Sequence, residues 1–169
     1  MKYWILGAMS VLIVAVGTTV IPHISINSIR PDIVGSFVVL MSMLSGRQDG
    51  VFVAVITGFL EDMVSGQYLG LYTVTRLIIA YISGVTYQKV FQDWVLVPII
   101  LVFVMGLAGG CIQVFLLASF GMPFGSFWTV LSTVIFQAMY SALLSPFVMH
   151  AIHRSTIWIR RTSESRKSL

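Results

Sequence analysis

Charge is what this sequence has least of, and its scarcity excludes an ordinary soluble domain. Only 9% of the 169 residues are charged, and 57% are hydrophobic, whereas about a quarter of a typical soluble domain is charged. No Asp, Glu, Lys or Arg occurs between Trp94 and Met149. Because about 20 apolar residues suffice to cross a bilayer as a helix, the composition predicts a polytopic membrane protein.

Cysteine and recognisable catalytic groupings are also lacking. The single cysteine, Cys111, lies in an apolar segment and cannot form an intramolecular disulfide. The sequence contains no G-x-S-x-G elbow, no H-E-x-x-H and no phosphate-binding loop. His150 and His153 lack further ligands at a spacing that a metal site requires. We therefore expect no enzyme activity, no cofactor, no metal and no binding of nucleic acid.

What is present is a series of six apolar segments separated by polar or turn-forming residues, which predicts an all-α fold with six transmembrane helices. The second segment is short for a full crossing. The first is expected to be a retained helix, because no clear cleavage site follows it. The segments run from about Tyr3 to Ile21, Ile33 to Leu44, Val51 to Val64, Leu71 to Tyr87, Val95 to Ser119 and Phe127 to His150.

The basic residues supply a test of this topology. Cytoplasmic segments of membrane proteins carry an excess of Lys and Arg. With six crossings and both termini in the cytoplasm, Arg30 alone falls on the outer side and Arg76 within the fourth segment. The eight inner ones are Lys2, Arg47, Lys89, Arg154, Arg160, Arg161, Arg166 and Lys167. We therefore predict a transmembrane domain over residues 1–153 and a basic cytoplasmic tail over residues 154–169.

The third segment contains two adjacent carboxylates, Glu61 and Asp62, in an otherwise apolar run. Small or polar residues recur every four positions in this segment, at Ala54, Gly58, Asp62 and Gly66. This spacing places them on one helix face, so Asp62 is expected to face protein rather than lipid. Arg76 lies at a similar depth in the fourth segment, on a face formed at the same spacing by Tyr72, Arg76, Ala80 and Gly84. An Arg76–Asp62 or an Arg76–Glu61 pair is therefore predicted, with Glu61 the less constrained carboxylate. A packing role is favoured over partner or ligand docking, and both over a proton or ion path.

The fifth segment holds Gly106 and Gly110 at the spacing of a GxxxG motif. Such pairs let two helices approach closely in lipid. Packing within the chain is favoured over a homodimer contact. Gln113 and Gln137 are uncharged polar residues in the fifth and sixth segments, and a hydrogen bond across this helix pair is one use for them.

Several of these residues together resemble a known family. The stretches "IRPDIV", "GFLEDMVSGQYLGLY" and "LIIAYISG" are similar to the MreD family of bacterial rod shape-determining membrane proteins. The resemblance extends from about Arg30 to Gly84, while the last two helices match only in hydropathy and length. Its pieces are Arg30, Pro31, Gly58, Asp62, Ser65, Gly66, Leu69 and Gly70. Glu61 and Arg76 depart from the family's usual pattern.

The resemblance implies a non-enzymatic inner-membrane component of the elongasome, which builds side-wall peptidoglycan. Its implied partners are the bitopic protein MreC, the actin-like MreB, the RodA glycosyltransferase and a penicillin-binding transpeptidase. It also implies a six-helix fold similar to the substrate-binding subunits of energy-coupling-factor vitamin transporters. The alternative function is therefore a small-molecule-binding transporter subunit, with a polar pocket supplied by residues such as Arg30, Asp32, Gln67 and Tyr68.

Overall fold

The computed structural model describes residues 2–19, 30–66, 68–87, 96–121 and 127–164. These residues form six α-helices, and no strand occurs among them. The predicted all-α class is thereby confirmed. The helices are α1 (Lys2–Thr19), α2 (Ile33–Ser45), α3 (Arg47–Ser65), α4 (Leu71–Tyr87), α5 (Leu96–Ser119) and α6 (Phe127–Glu164).

Helix α2 lies at the centre and contacts every other helix. Its residues from Val34 to Met43 are all buried, so this helix packs against protein on all sides rather than presenting one apolar face. Thirteen residues correspond to about 20 Å of helix, which is shorter than the hydrocarbon core of a bilayer. Because it is surrounded by protein, α2 does not have to match the bilayer in length.

The remaining helices form two antiparallel pairs and one flanking helix. Helices α3 and α4 make the most extensive interface, followed by α5 and α6, and α1 packs against α2 and α3. Gly46, with φ of 92°, is the single residue between α2 and α3. Helix α3 therefore begins four residues before the predicted Val51, because the polar stretch "RQDG" continues the helix.

Helix α6 extends to Glu164, so it passes the predicted boundary between residues 153 and 154 without ending. The predicted inner residues Lys89, Arg166 and Lys167 lie outside the described residues.

Two of the helices in the described part of the chain are long and apolar enough to cross a membrane. They are α5 (Leu96–Ser119) and the part of α6 from Trp128 to Ile152, in which 18-residue stretches have mean hydropathies of 2.5 and 1.4, respectively. Three shorter apolar helices cover Tyr3–Thr19, Ile33–Ser45 and Leu71–Thr86. Helix α3 belongs to neither group because it carries charge at both of its ends.

Candidate functional site

A buried arginine joins three helices near the turn between α3 and α4. Arg76, in the second turn of α4, is 2% exposed. Its Nε and Nη2 donate to the two carboxylate oxygens of Glu61 at 2.9 and 3.1 Å. Its Nη1 and Nη2 donate to those of Asp32 at 2.5 and 2.7 Å. We call Asp32, Glu61 and Arg76 the Arg76 cluster. It links α4 to α3 and to the start of α2 by two forked ion pairs, the stronger geometry for such contacts.

The structure therefore decides between the two pairs predicted for Arg76. The Arg76–Glu61 alternative is present, whereas the Arg76–Asp62 alternative is wrong, because the Asp62 carboxylate is occupied by hydrogen bonds from α4. The prediction that Glu61 is the less constrained carboxylate is confirmed. Its side chain is 13% exposed and, among the described residues, binds Arg76 alone, whereas Asp62 is 1% exposed and accepts four hydrogen bonds. Sequence reasoning missed Asp32 as a partner, because 44 positions separate it from Arg76.

Asp32 is held in place from two further sides. It is the N-cap of α2, and its Oδ1 accepts a hydrogen bond from the Gly35 amide at 2.8 Å. Its own amide donates to the Ser141 hydroxyl of α6, also at 2.8 Å. Ser141 in turn donates to the carbonyl of Gln137. One aspartate thus connects α2, α4 and α6, and helix capping orients its carboxylate toward Arg76.

Asp62 does not bind Arg76 but caps the beginning of α4. Its side chain accepts hydrogen bonds from the amides of Gly70, Tyr72 and Thr73 at 2.9, 2.8 and 3.1 Å. The Thr73 hydroxyl donates to it as well, at 2.5 Å. The first amides of a helix have no partner within the helix, and a carboxylate is favourable at this positive end. A side chain near the end of α3 therefore caps α4.

The turn between α3 and α4 requires glycine at two positions. Gly66 ends α3 in the left-handed conformation, with φ of 62°, and its amide donates to the Asp62 carbonyl. Gly70 has φ of 99°. Other residues rarely adopt such angles. The neighbouring Ser65 and Leu69 are exposed. Both belong to the residues that resemble the MreD family, but no buried contact accounts for the residue type at either position.

Helices α3 and α4 touch at Gly58. A Cβ atom at this position would lie 2.5 Å from the Thr73 Cα and 2.9 Å from its amide nitrogen. Both neighbours are backbone atoms, which cannot move aside independently of the helix. The predicted small-residue face of α3 therefore brings the two helices close enough for Asp62 to reach the α4 amides.

The GxxxG glycines of α5 lie against α6. A Cβ at Gly106 would meet the Ala138 Cβ at 3.3 Å, and one at Gly110 would meet the Val134 side chain at 2.5 Å. Both contacts are within the chain, which is the alternative favoured for these residues.

Substitution of these glycines is expected to have unequal effects. Gly58→Ala should lower the free energy of unfolding by about 1–3 kcal/mol, because relief of the clash requires the α4 backbone to move. Gly106→Ala should change it by less than about 1 kcal/mol, since a gain in helix propensity offsets a mild contact. An SDS titration in mild detergent measures both. Equal losses in the two variants would contradict the close approach at Gly58.

A polar recess opens beside the Arg76 cluster. It has a volume of about 460 Å³ and reaches from the end of α1 to α5 and α6. Besides the cluster, its polar lining includes Arg30, Tyr72, Gln113 and Gln137. Arg30 is exposed, whereas the adjacent Pro31 is buried. A smaller chamber of about 20 Å³ adjoins the recess and shares Asp32, Arg76 and the two glutamines with it. This volume suffices for one water molecule.

The pocket residues expected for the alternative function are only partly brought together. Arg30 and Asp32 line the recess, but Tyr68 stacks on Phe120, with ring centroids 4.8 Å apart. Gln67 lies outside the described residues. For Gln113 and Gln137 the sequence indicates only a hydrogen bond across α5 and α6. The structure shows that both residues line the same recess.

Comparison with protein families identifies a match over most of the chain. Residues 1–154 match the family model described as rod shape-determining protein MreD. No curated protein and no solved structure matches the chain.

Proposed function

Because this chain belongs to the MreD family of rod shape-determining membrane proteins, we propose that it acts by binding other membrane proteins and has no catalytic turnover of its own. The observation that carries this proposal is the contrast between its interior and its exterior. The charged side chains of the Arg76 cluster bind one another, and Asp62 binds the start of α4. The outward faces, in contrast, carry large apolar side chains. Examples with more than half of their surface exposed are Trp4, Met63, Phe115, Trp128, Leu143 and Phe147.

We propose that all six helices lie in the bacterial inner membrane and form a bundle similar to the substrate-binding subunits of energy-coupling-factor transporters. The central position of α2 supports this, since a helix too short to span is tolerated where protein surrounds it. Both termini are then cytoplasmic, and the α3–α4 turn and the Arg76 cluster lie toward the outer side.

This topology predicts the labelling of single cysteines in a Cys111→Ala background. A membrane-impermeant maleimide should not react with Lys167→Cys in intact cells, because the seven other basic residues predicted on that side favour a cytoplasmic location. It should react with Leu69→Cys, whose side chain is 80% exposed in the outer turn. Labelling at position 167 without prior permeabilisation would overturn the proposed orientation.

The docking surface proposed for a single-span, MreC-like partner is an apolar groove between α1 and α3. Its volume is about 560 Å³, and Tyr3, Trp4 and Phe52 form part of its lining. Gly7 and Ala8 also line it, and a Cβ added at Gly7 would contact nothing within 4 Å. Association of helices in lipid depends on close packing at small residues. A groove with an open glycine therefore suits a transmembrane helix better than a smooth apolar face does.

Two measurements test this function. Depletion in a rod-shaped host should give rounded cells, and an MreC-like protein should co-purify in mild detergent. Ala8→Leu, which fills the groove, should reduce the recovered partner at least tenfold. Ala118→Leu adds the same bulk at an exposed position of α5 and should leave recovery unchanged. Normal cell shape on depletion would contradict the proposal. Association with MreB-like, RodA-like and transpeptidase partners is proposed to follow through the same assembly.

The second candidate is a small-molecule-binding subunit of a membrane transporter, which is favoured by one observation, the polar recess. Its volume lies in the range of ligand sites, about 300–1,000 Å³. A tightly bound vitamin and a co-purifying ATPase module would support this candidate over the first.

A further inference from the structure

The polar recess contains more hydrogen-bonding groups than the fold uses. The side-chain amides of Gln113 on α5 and Gln137 on α6 line it, and no described residue forms a hydrogen bond with either amide. Each amide offers both a donor and an acceptor. The two amides lie on different helices of the α5–α6 pair and line the same recess as the Arg76 cluster, so one occupant can contact both groups.

The charges that line the recess indicate what kind of molecule fits. Arg30 and Arg76 are opposed by Asp32 and Glu61, so these four side chains have no net charge. Arg76 is already bound to both carboxylates, and Arg30 is exposed. An anion would lie close to the two carboxylates, and a cation close to the two guanidinium groups. The lining therefore disfavours a ligand with a net charge of either sign.

A neutral molecule rich in hydroxyl groups matches this lining. A hydroxyl group donates one hydrogen bond and accepts others, so several of them satisfy a wall in which donors and acceptors alternate. The lining supplies both kinds of group, since the carboxylate oxygens accept, the glutamine amides donate and accept, and the Arg30 guanidinium donates. The recess of about 460 Å³ is also within the size range of small-molecule sites. The small adjoining chamber leaves room for one bridging water.

From this we infer that the polar recess is a binding site for a neutral saccharide, either free or as the head group of a lipid, with Gln113 and Gln137 as its determining contacts. The inference goes beyond a scaffolding role. It is independent of the apolar groove, which is lined by other residues on α1 and α3.

The test uses the full chain in lipid nanodiscs, because maltoside detergents would themselves present a disaccharide. Maltose serves as the free probe, and binding is followed by saturation-transfer NMR on the sugar protons. We expect a transfer signal with the wild type and at least a tenfold weaker affinity for Gln113→Leu/Gln137→Leu. Gln48→Leu changes an exposed glutamine at the other end of α3 and should bind maltose as the wild type does.

A second variant guards against misfolding of the first. Arg30→Leu removes an exposed donor from the recess and should weaken maltose binding severalfold while the thermal unfolding midpoint stays unchanged. Nanodiscs that contain a galactosyl diacylglycerol distinguish a lipid head group from a free sugar as the natural ligand. Competition with maltose by this lipid indicates a lipid head group, and its absence indicates a free sugar.

Three results would overturn the inference. They are the absence of any maltose signal with the wild type, equal affinity in the double glutamine variant, and binding of the zwitterion glycylglycine in place of maltose. Recovery of an MreC-like partner is measured on the same variants. If maltose binding is lost while the partner is recovered normally, the recess and the docking groove are separate sites. Failure of the partner assay alone would count against the scaffolding role and not against the saccharide site.

Discussion

Arg76→Ala is expected to lower the free energy of unfolding by about 3–5 kcal/mol, because it leaves two carboxylates, Asp32 and Glu61, without a counter-charge in the protein interior. The arginine is 2% exposed, and the side chains of its partners are 23% and 13% exposed. Two unpaired carboxylates at such short separation repel each other, and in the protein interior they are poorly solvated. The loss is measured by an SDS titration in mild detergent, beginning from the folded protein.

Arg47→Ala is the matched control for this substitution. Arg47 is exposed at the start of α3, and its guanidinium lies 5.2 Å from the centre of the Tyr81 ring. Such a contact at an exposed site contributes about 0.5–1 kcal/mol. The control should therefore cost much less than Arg76→Ala, although both replace arginine by alanine.

A triple variant separates loss of charge balance from loss of packing. In Asp32→Asn/Glu61→Gln/Arg76→Met all three charges disappear together, and neutral replacement of a buried ion pair is often tolerated. We expect this protein to be more stable than Arg76→Ala alone. A triple variant at least as damaged as the single one would show that the effect of Arg76 does not arise from the carboxylates.

The sequence allowed the faces of α3 and α4 to be predicted because helical periodicity is a local property. A spacing of four residues placed Ala54, Gly58, Asp62 and Gly66 on one face. The first three are buried, whereas Gly66 ends the helix and is exposed. Arg76 and Ala80 follow the same spacing in α4 and are buried as well. The need to keep charge away from lipid then limited Arg76 to a partner in the protein.

What could not be predicted was the choice of partner. Glu61 and Asp62 are adjacent in sequence, so depth alone assigned neither of them to Arg76. The decision depends on the turn, since Asp62 lies where the first amides of α4 point and Glu61 lies about 100° further around α3. Asp32 reaches Arg76 only because α2 packs between the two helix pairs. No local pattern in the sequence contains that information.

The position of the two glutamines in the recess could not be predicted from the sequence either. Gln113 and Gln137 were recognised as polar residues in apolar helices, and a bond between them was the simplest use for both. Their helices do pack together, but the amides line a common opening. The location of an empty volume depends on every surrounding helix, so it is a property of the assembled bundle.

Asp62→Ala is expected to lower the free energy of unfolding by at least about 2 kcal/mol, the upper end of the cost of one lost helix cap. The reason is that Asp62 accepts from three amides of the α4 beginning and from the Thr73 hydroxyl. It is 1% exposed, so water cannot readily replace it, and each unsatisfied buried donor costs about 1–3 kcal/mol. The same SDS titration measures the loss.

Asp62→Asn and Ser65→Ala give the comparisons that make this result specific. The asparagine keeps one acceptor oxygen but turns an NH₂ donor toward amides that also donate. The free energy of unfolding of Asp62→Asn should therefore lie between that of the wild type and that of Asp62→Ala. Ser65 is exposed one turn further along α3, and its replacement should change stability by less than about 0.5 kcal/mol. If Asp62→Asn were as stable as the wild type, the carboxylate would not be the group that holds α4. The contact with Gly58 would then have to fix the α3–α4 pair by itself, and Gly58→Ala would become the most damaging change in this interface.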